Sequence, residues 1–171
     1  NLMKYEKGIY GDTILVTMHR RENHHWLDEW FREINALAIR YPNLKFVIPI
    51  HPNPNVQKWK HLLHNVDVIE PLTHDETIKI LRDCKLVITD SGGLQEEGSF
   101  FDKKVIVCRK TTERPEGINT GHLYMCEEPK KLSQLFGELE NNSYICEPCP
   151  YGEGNTSEKV LEILRNVIQL Y

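Results

Sequence analysis

The sequence predicts an α/β sandwich built on a parallel sheet, and three of its features do so. From residue 13 onward, short runs rich in β-branched residues alternate with segments of helical periodicity. The runs are bounded by turn-forming or charged residues, as strands are. No internal repeat, low-complexity tract or evident linker interrupts that order after residue 13. Alternation of this kind marks β-α units wound around one sheet, a Rossmann-like αβα arrangement.

The expected strands are 13–18, 44–50, 66–69, 85–89 and 104–108, with 122–126 a sixth. The clearest helix runs over 26–41, where Trp30, Ile34, Leu37 and Ala38 share one face, and Pro42 and Asn43 stop it. A second opens at Thr73, which can cap it, while Glu76 three residues on can close a capping box ahead of Ile78, Ile80 and Leu81. Further helices are expected over 54–64, 93–101, 129–141 and 156–170. Residues 1–12 carry no strong pattern and read as a leading segment, and residues 13–171 read as a single domain.

Size and charge agree with one such unit. The chain has 171 residues, 40% of them hydrophobic, with 21 Lys+Arg against 25 Asp+Glu and hence a net charge of −4. A chain of this size can bury roughly two-thirds of its unfolded surface without covalent staples. No run approaches the roughly 18 apolar residues of a membrane-spanning helix, and the start lacks a signal-peptide core. Mild acidity without a long basic run gives no footprint for DNA or RNA, though a local cationic pocket for a small anion remains open. Five cysteines, Cys84, Cys108, Cys126, Cys146 and Cys149, are an odd number, and three lie in or beside apolar runs. Reduced thiols and a cytoplasmic location are therefore expected. The chain begins with Asn1 rather than Met, as a domain cut from a longer protein would.

In sheets of this kind ligands bind beyond the carboxyl ends of the strands, so the chemistry is sought in the strand-exit loops. After the fourth strand come Asp90, Ser91, Gly92, Gly93, Leu94, Gln95, Glu96 and Glu97. Two glycines let the backbone approach a ligand and the following helix points its first N–H groups at it, the outline of a phosphate cradle. Ser91 adds a hydroxyl, and Glu97, one turn beyond Gly93, can accept hydrogen bonds from the hydroxyls of a ribose. The alternative is a tight strand-to-helix turn that Asp90 or Ser91 merely caps.

After the first strand, His19, Arg20, Arg21, Glu22, Asn23, His24 and His25 form a dense titratable loop. Paired arginines can hold phosphate oxygens by forked hydrogen bonds, and a histidine can act near neutral pH as an acid. The second strand exits into His51, Pro52, Asn53 and Pro54, a stiff loop. The fifth exits through Arg109, Lys110, Thr111, Thr112, Glu113, Arg114, Pro115 and Glu116. Arg114 is the natural second clamp for a diphosphate there, unless it forms an ordinary ion pair with Glu113 or Glu116. Arg20, Arg21, Arg109, Lys110 and Arg114 together make a cationic rim. Cys146 and Cys149 have metal-like spacing but no second pair, so no metal is expected. His61 and His64 are expected to face solvent, and Tyr151 to Ser157 read as a glycine-bearing turn into the last helix.

These loops, taken in order with Pro150, Tyr151, Gly152, Glu153 and Gly154, resemble five motifs of the non-hydrolysing UDP-N-acetylglucosamine 2-epimerases, and they span most of the chain. The resemblance is to the C-terminal lobe of that family's glycosyltransferase-B-like fold. It implies that Ser91, Gly92, Gly93, Glu97 and Arg114 bind UDP, with Glu97 on the ribose, and that His19 is the family's catalytic-site histidine. It implies a second, activating UDP-N-acetylglucosamine near Arg20, Arg21 and His51, and no cofactor. The reaction implied interconverts UDP-N-acetylglucosamine and UDP-N-acetylmannosamine through elimination of UDP and its re-addition. The acid/base carboxylates belong to the other, N-terminal lobe, to which no segment corresponds, so this piece is expected to be catalytically incomplete and its parent a homodimer. Relative to the family, Gly98, Ser99 and Phe100 replace Ala-Pro-Ser and alter packing behind the cradle. Lys110 stands where Asp is usual and would add charge near the diphosphate, and Cys149 stands where Asn is usual. Two other functions compete: a nucleotide-sugar-sensing module without chemistry, and a lobe of a glycosyltransferase.

Overall fold

The computed structural model describes Leu2 and residues 10–142, 144–145 and 147–168. Six strands form one sheet: β1 (Thr13–Thr17), β2 (Lys45–Pro49), β3 (Asp67–Ile69), β4 (Leu86–Thr89), β5 (Lys104–Val107) and β6 (Leu123–Met125). Their order is β3-β2-β1-β4-β5-β6, and every neighbouring pair is parallel. The chain winds outward from β1 to β3, crosses back to place β4 beside β1, and winds the other way. The connections leaving β1 and β4 therefore diverge and open a crevice between them, the switch point of a doubly wound sheet. All six expected strands are present, each shortened by one residue at one or both ends.

Helices cover both faces, so the central strands are buried on both sides and read as continuous apolar runs. Ile14 and Val16 of β1, Leu86 and Ile88 of β4 and Ile106 of β5 point into one core layer. Leu15, Val87, Val105 and Val107 point into the other. The first layer is closed by α1 (Leu27–Arg40) and α5 (Leu132–Glu140), the second by α3 (His74–Asp83) and α4 (Gly92–Phe100). The apolar stripe of α1 is wider than expected, since Leu27 and Phe31 join Trp30, Ile34, Leu37 and Ala38 as buried residues.

Two connections differ from expectation. The single helix over 54–64 is instead one turn, α2 (Pro54–Gln57), followed by a 3-10 turn at Lys60–Leu62. Val56, Trp59 and Leu62 pack on the core, and their three-residue spacing is that of a 3-10 rather than an α period. Similarly, the segment from residue 129 starts as a 3-10 turn, Pro129–Lys131, before α5 takes over. The last helix, α6 (Thr156–Ile168), follows the expected course, and the end expected at 170 lies outside the described residues. Most of the leading segment lies outside them too.

The capping box of α3 forms as its spacing dictates. The Thr73 backbone N–H donates to Glu76 Oε2 at 2.8 Å and the Glu76 N–H donates to Thr73 Oγ1 at 3.4 Å. In α4, a Cβ on Gly98 would sit 2.7 Å from Val105 Cγ2, so the bare backbone lets this helix lie close on β5.

Candidate functional site

The crevice is organised around Asp90, the residue that follows β4. Its side chain is fully buried and accepts hydrogen bonds from the backbone N–H of His19 (3.0 Å) and Arg20 (2.8 Å) and from Asn23 Nδ2 (3.0 Å). Asn23 Nδ2 also donates to the Cys108 carbonyl at 2.9 Å. One carboxylate thus ties together the exits of β1, β4 and β5. Asp90 is not a helix cap, because its oxygens are committed to the neighbouring loop. Ser91 occupies the N-cap position of α4, but its hydroxyl makes no cap bond, and its backbone N–H donates to Thr89 Oγ1 at 2.9 Å. Among the described residues no side chain caps α4, which leaves its first N–H groups and the positive end of its dipole facing the crevice.

Two guanidinium groups converge on that helix end. A methyl group on Gly92 would lie 3.7 Å from Arg20 Nη2 and 3.9 Å from Arg114 Nη2. Arg114 is held at both its side chain and its backbone: its Nε donates to Glu96, its backbone N–H donates to Thr112 Oγ1 at 3.0 Å, and its carbonyl accepts the Tyr151 hydroxyl at 2.9 Å. Thr112 in turn donates to Gln95, whose amide donates to the Ser91 carbonyl at 3.2 Å. The β5 loop and the α4 cradle are thereby joined. The carboxylate partner of Arg114 is Glu96, not Glu113 or Glu116; the Glu113 carboxylate is taken by Arg109, and only its carbonyl accepts from Arg114 Nη1, at 3.4 Å.

The cationic rim is accordingly smaller than expected. Arg109 is buried and forks onto two carboxylates, with Nε 2.5 Å from Glu22 Oε1 and Nη1 2.6 Å from Glu113 Oε2. Its charge is spent inside the loop. The Arg109 guanidinium holds the Glu113 carboxyl down at about 2. Lys110 likewise does not reach the cradle: its ammonium lies 5.3 Å from the centre of the Trp26 ring, in a separate pocket of about 220 Å³.

His19 is half-buried beside Asp90, with Nδ1 3.6 Å from Oδ1, and its ring stacks on His51 at 5.2 Å between centroids. Burial lowers the His19 pKa below the ordinary imidazole value; the Asp90 charge opposes this, and His51, Arg20 and His24 reinforce it. The neutral ring is therefore favoured at neutral pH, able to accept a proton on one nitrogen and to donate a hydrogen bond from the other. The Asn53 backbone N–H donates to His51 Nδ1 at 3.1 Å, orienting that ring. His19, Arg20, Arg21, Glu22, His51 and Asn53 line an open cleft of about 440 Å³.

Glu97 sits on α4 as expected, yet it is already engaged: His74 Nε2, from the first turn of α3, is 2.8 Å from Glu97 Oε1. His74, Glu96, Gln95, Thr112 and Tyr151 escaped the sequence reading as partners within the site. Thr73–Glu76 capping was the one local signal that fixed where His74 would stand; the others pair residues distant in sequence. Gly93 lies in the first turn of α4 beside Ser91. Elsewhere, His61 and His64 are exposed, and Cys84, Cys108 and Cys126 are buried without disulfides. The Cys146 half of the metal-like pair lies outside the described residues. Among the described residues no three His, Cys, Asp or Glu side chains converge as a metal site, and no helix is long and apolar enough to cross a membrane.

Strand order and a switch-point crevice define a Rossmann-like α/β lobe. The chain belongs to the UDP-N-acetylglucosamine 2-epimerase family, whose model matches residues 4–165. A UDP-N-acetylglucosamine 2-epimerase of Campylobacter jejuni is 39% identical over 167 residues, covering 88% of this chain and 42% of the relative. The UDP-GlcNAc 2-epimerase of Neisseria meningitidis, solved bound to UDP-GlcNAc, superposes with a TM-score of 0.82 at 37% identity, covering 91% of this chain and 45% of that one. The Methanocaldococcus jannaschii enzyme, solved with UDP-GlcNAc and UDP, superposes with a TM-score of 0.75 at 26% identity, covering 92% and 46%. This chain spans less than half the length of these relatives.

Replacing Asp90 by Ala removes the acceptor of the His19 and Arg20 backbone N–H groups and one of the partners of the Asn23 amide, and is expected to cost about 3 kcal/mol in urea unfolding. The Arg109 pair gives a pH signature of known sign. Glu113 is depressed from 4.5 to about 2, so its stabilisation is complete above pH 4.5 and is lost as pH falls toward 2. The stability lead of the wild type over Glu113→Gln, read from urea midpoints, is expected to be constant above pH 5 and to shrink across that window.

Proposed function

We propose that this chain is the C-terminal, UDP-binding lobe of a UDP-N-acetylglucosamine 2-epimerase that interconverts UDP-GlcNAc and UDP-ManNAc. The single observation that carries the proposal is the convergence of Arg20 and Arg114 on Gly92 at the uncapped start of α4. Two forked cations and a ring of free N–H groups at one point suit a diphosphate, since each supplies charge-assisted hydrogen bonds to bridging and terminal oxygens. The two relatives solved with UDP-GlcNAc support the choice of nucleotide.

Residue roles follow from position. Ser91, Gly92, Gly93 and Arg114 hold the diphosphate, and Arg20 leans into the same cradle. Glu97 accepts from the ribose hydroxyls. His19 stands at the crevice with a neutral ring, whose N–H donates a hydrogen bond to the departing diphosphate as the bond between sugar C1 and oxygen breaks. Loss of the C2 proton gives a 2-acetamidoglucal. Return of UDP to C1, with a proton delivered to C2 on the opposite face, inverts that centre. Arg21 and His51 line the cleft beside His19, where a second, activating UDP-GlcNAc would bind.

The carboxylates for proton transfer at C2 are assigned to an N-terminal lobe. In keeping with a partner of that kind, α6 exposes Val160, Leu161, Ile163, Leu164, Val167 and Ile168 along its length. Residues 13–171 form the lobe proper, in a parent protein that is cytoplasmic and homodimeric and needs no metal or cofactor.

Calorimetric titration tests the proposal. UDP is expected to bind the 171-residue chain, with about tenfold or greater loss of affinity in both Arg114→Ala and Glu97→Ala. Wild-type binding no tighter than that of the variants would reject it. The same chain incubated with UDP-GlcNAc is expected to show no epimerisation by NMR, and robust turnover would place the proton-transferring groups within these residues.

A further inference from the structure

We infer, on the basis of the UDP-binding function proposed above, that His74 is a positioning residue of the ribose site. It holds the Glu97 carboxylate in the orientation that receives a ribose hydroxyl and thereby sets a preference for ribonucleotides over 2′-deoxynucleotides.

Glu97 and the neighbouring Glu96 stand side by side on α4 and are held by different partners. Glu96 is taken by Arg114 on the diphosphate side of the cradle. Glu97 is taken by His74, whose Nε2 lies 2.8 Å from Oε1. The Glu97 side chain is only 21% exposed, whereas that of His74 is 63% exposed. A carboxylate that accessible to a ligand and that enclosed by protein has few orientations available once one oxygen is bonded.

His74 itself is held by its backbone. It is the first residue of α3, and the reciprocal Thr73–Glu76 capping bonds set where that helix begins. The imidazole N–H occupies one lone pair of Oε1, which leaves Oε2 and the remaining lone pair of Oε1 to accept from a hydroxyl. Space is present beside the carboxylate, in a pocket of about 430 Å³ to which Glu96, Phe100, Tyr151 and Gly152 also contribute. Without His74, the three torsions of Glu97 would have to be ordered by the ligand, and that entropy would be subtracted from the binding of the hydroxyl. A 2′-deoxynucleotide, lacking one hydroxyl, gains less from the ordering.

The test is calorimetry on the 171-residue chain with UDP and with 2′-deoxy-UDP. The wild type is expected to prefer UDP. His74→Ala is expected to bind UDP about fivefold more weakly while 2′-deoxy-UDP changes less than about twofold, so that the preference collapses. His74→Gln, which returns an N–H near the position of Nε2, is expected to restore UDP affinity to within about twofold of wild type. Because His74 is a surface side chain, the melting temperatures of both variants are expected to match the wild type. If His74→Ala binds both nucleotides as the wild type does, or weakens both equally, the positioning role is overturned. It is overturned as well by a wild type that binds UDP but does not distinguish the two. A wild type that fails to bind UDP at all removes the function proposed for the lobe, and this inference with it.

Discussion

The buried carboxylate of Asp90 is the constraint on which the crevice depends. A charge withdrawn from water must be satisfied by hydrogen bonds, and Asp90 finds them in the His19 and Arg20 backbone N–H groups and the Asn23 amide. Since those donors lie in the loop after β1 while Asp90 follows β4, the loop cannot move independently of the adjacent strand. Asn23 extends the tie to β5 through the Cys108 carbonyl. The position of the Arg20 guanidinium over Gly92 and of the His19 ring beside the crevice follow from where that loop is pinned.

Electrostatics then divide the cations by burial. Arg109 has a side chain only 6% exposed and is fully matched by Glu22 and Glu113, so it braces the loop. Arg114 is 33% exposed and is matched by Glu96 alone among carboxylates, which orients its guanidinium toward α4 while keeping donors available. A chain of net charge −4 can in this way present a cationic point at one helix end. The local field comes from which cation each acid is paired with, Glu22 and Glu113 with Arg109 and Glu96 with Arg114, rather than from the overall balance.

Family membership and this geometry meet at the same loops. The segments that carry the resemblance, after β1, β2, β4 and β5, are those that the strand order brings to one edge of the sheet. Their spacing along the chain is wide, and only the crossover from β3 to β4 makes them neighbours. The resemblance and the fold therefore support one another independently, one through residue identity and the other through topology.

Much of the architecture was legible in the residues alone. Burial on both faces writes each central strand as an apolar run, the stripe of α1 repeats at the helical period, and the Thr73–Glu76 box spans three residues; all three are local rules. The break in the expected helix over 54–64 was visible only in the three-residue spacing of Val56, Trp59 and Leu62, which α-helical periodicity obscures. The loops that line the site were legible too, as polar clusters at strand exits. The tertiary structure alone decided the pairings: Asp90 with the β1 loop rather than as a cap, Arg114 with Glu96 rather than its chain neighbours, Arg109 and Lys110 away from the cradle, and His74 with Glu97. Each joins groups separated by many residues, and a hydrogen bond or ion pair of that kind depends on which strands lie side by side. Periodicity records which face of an element is buried, but it carries no record of what the opposite element brings to meet it.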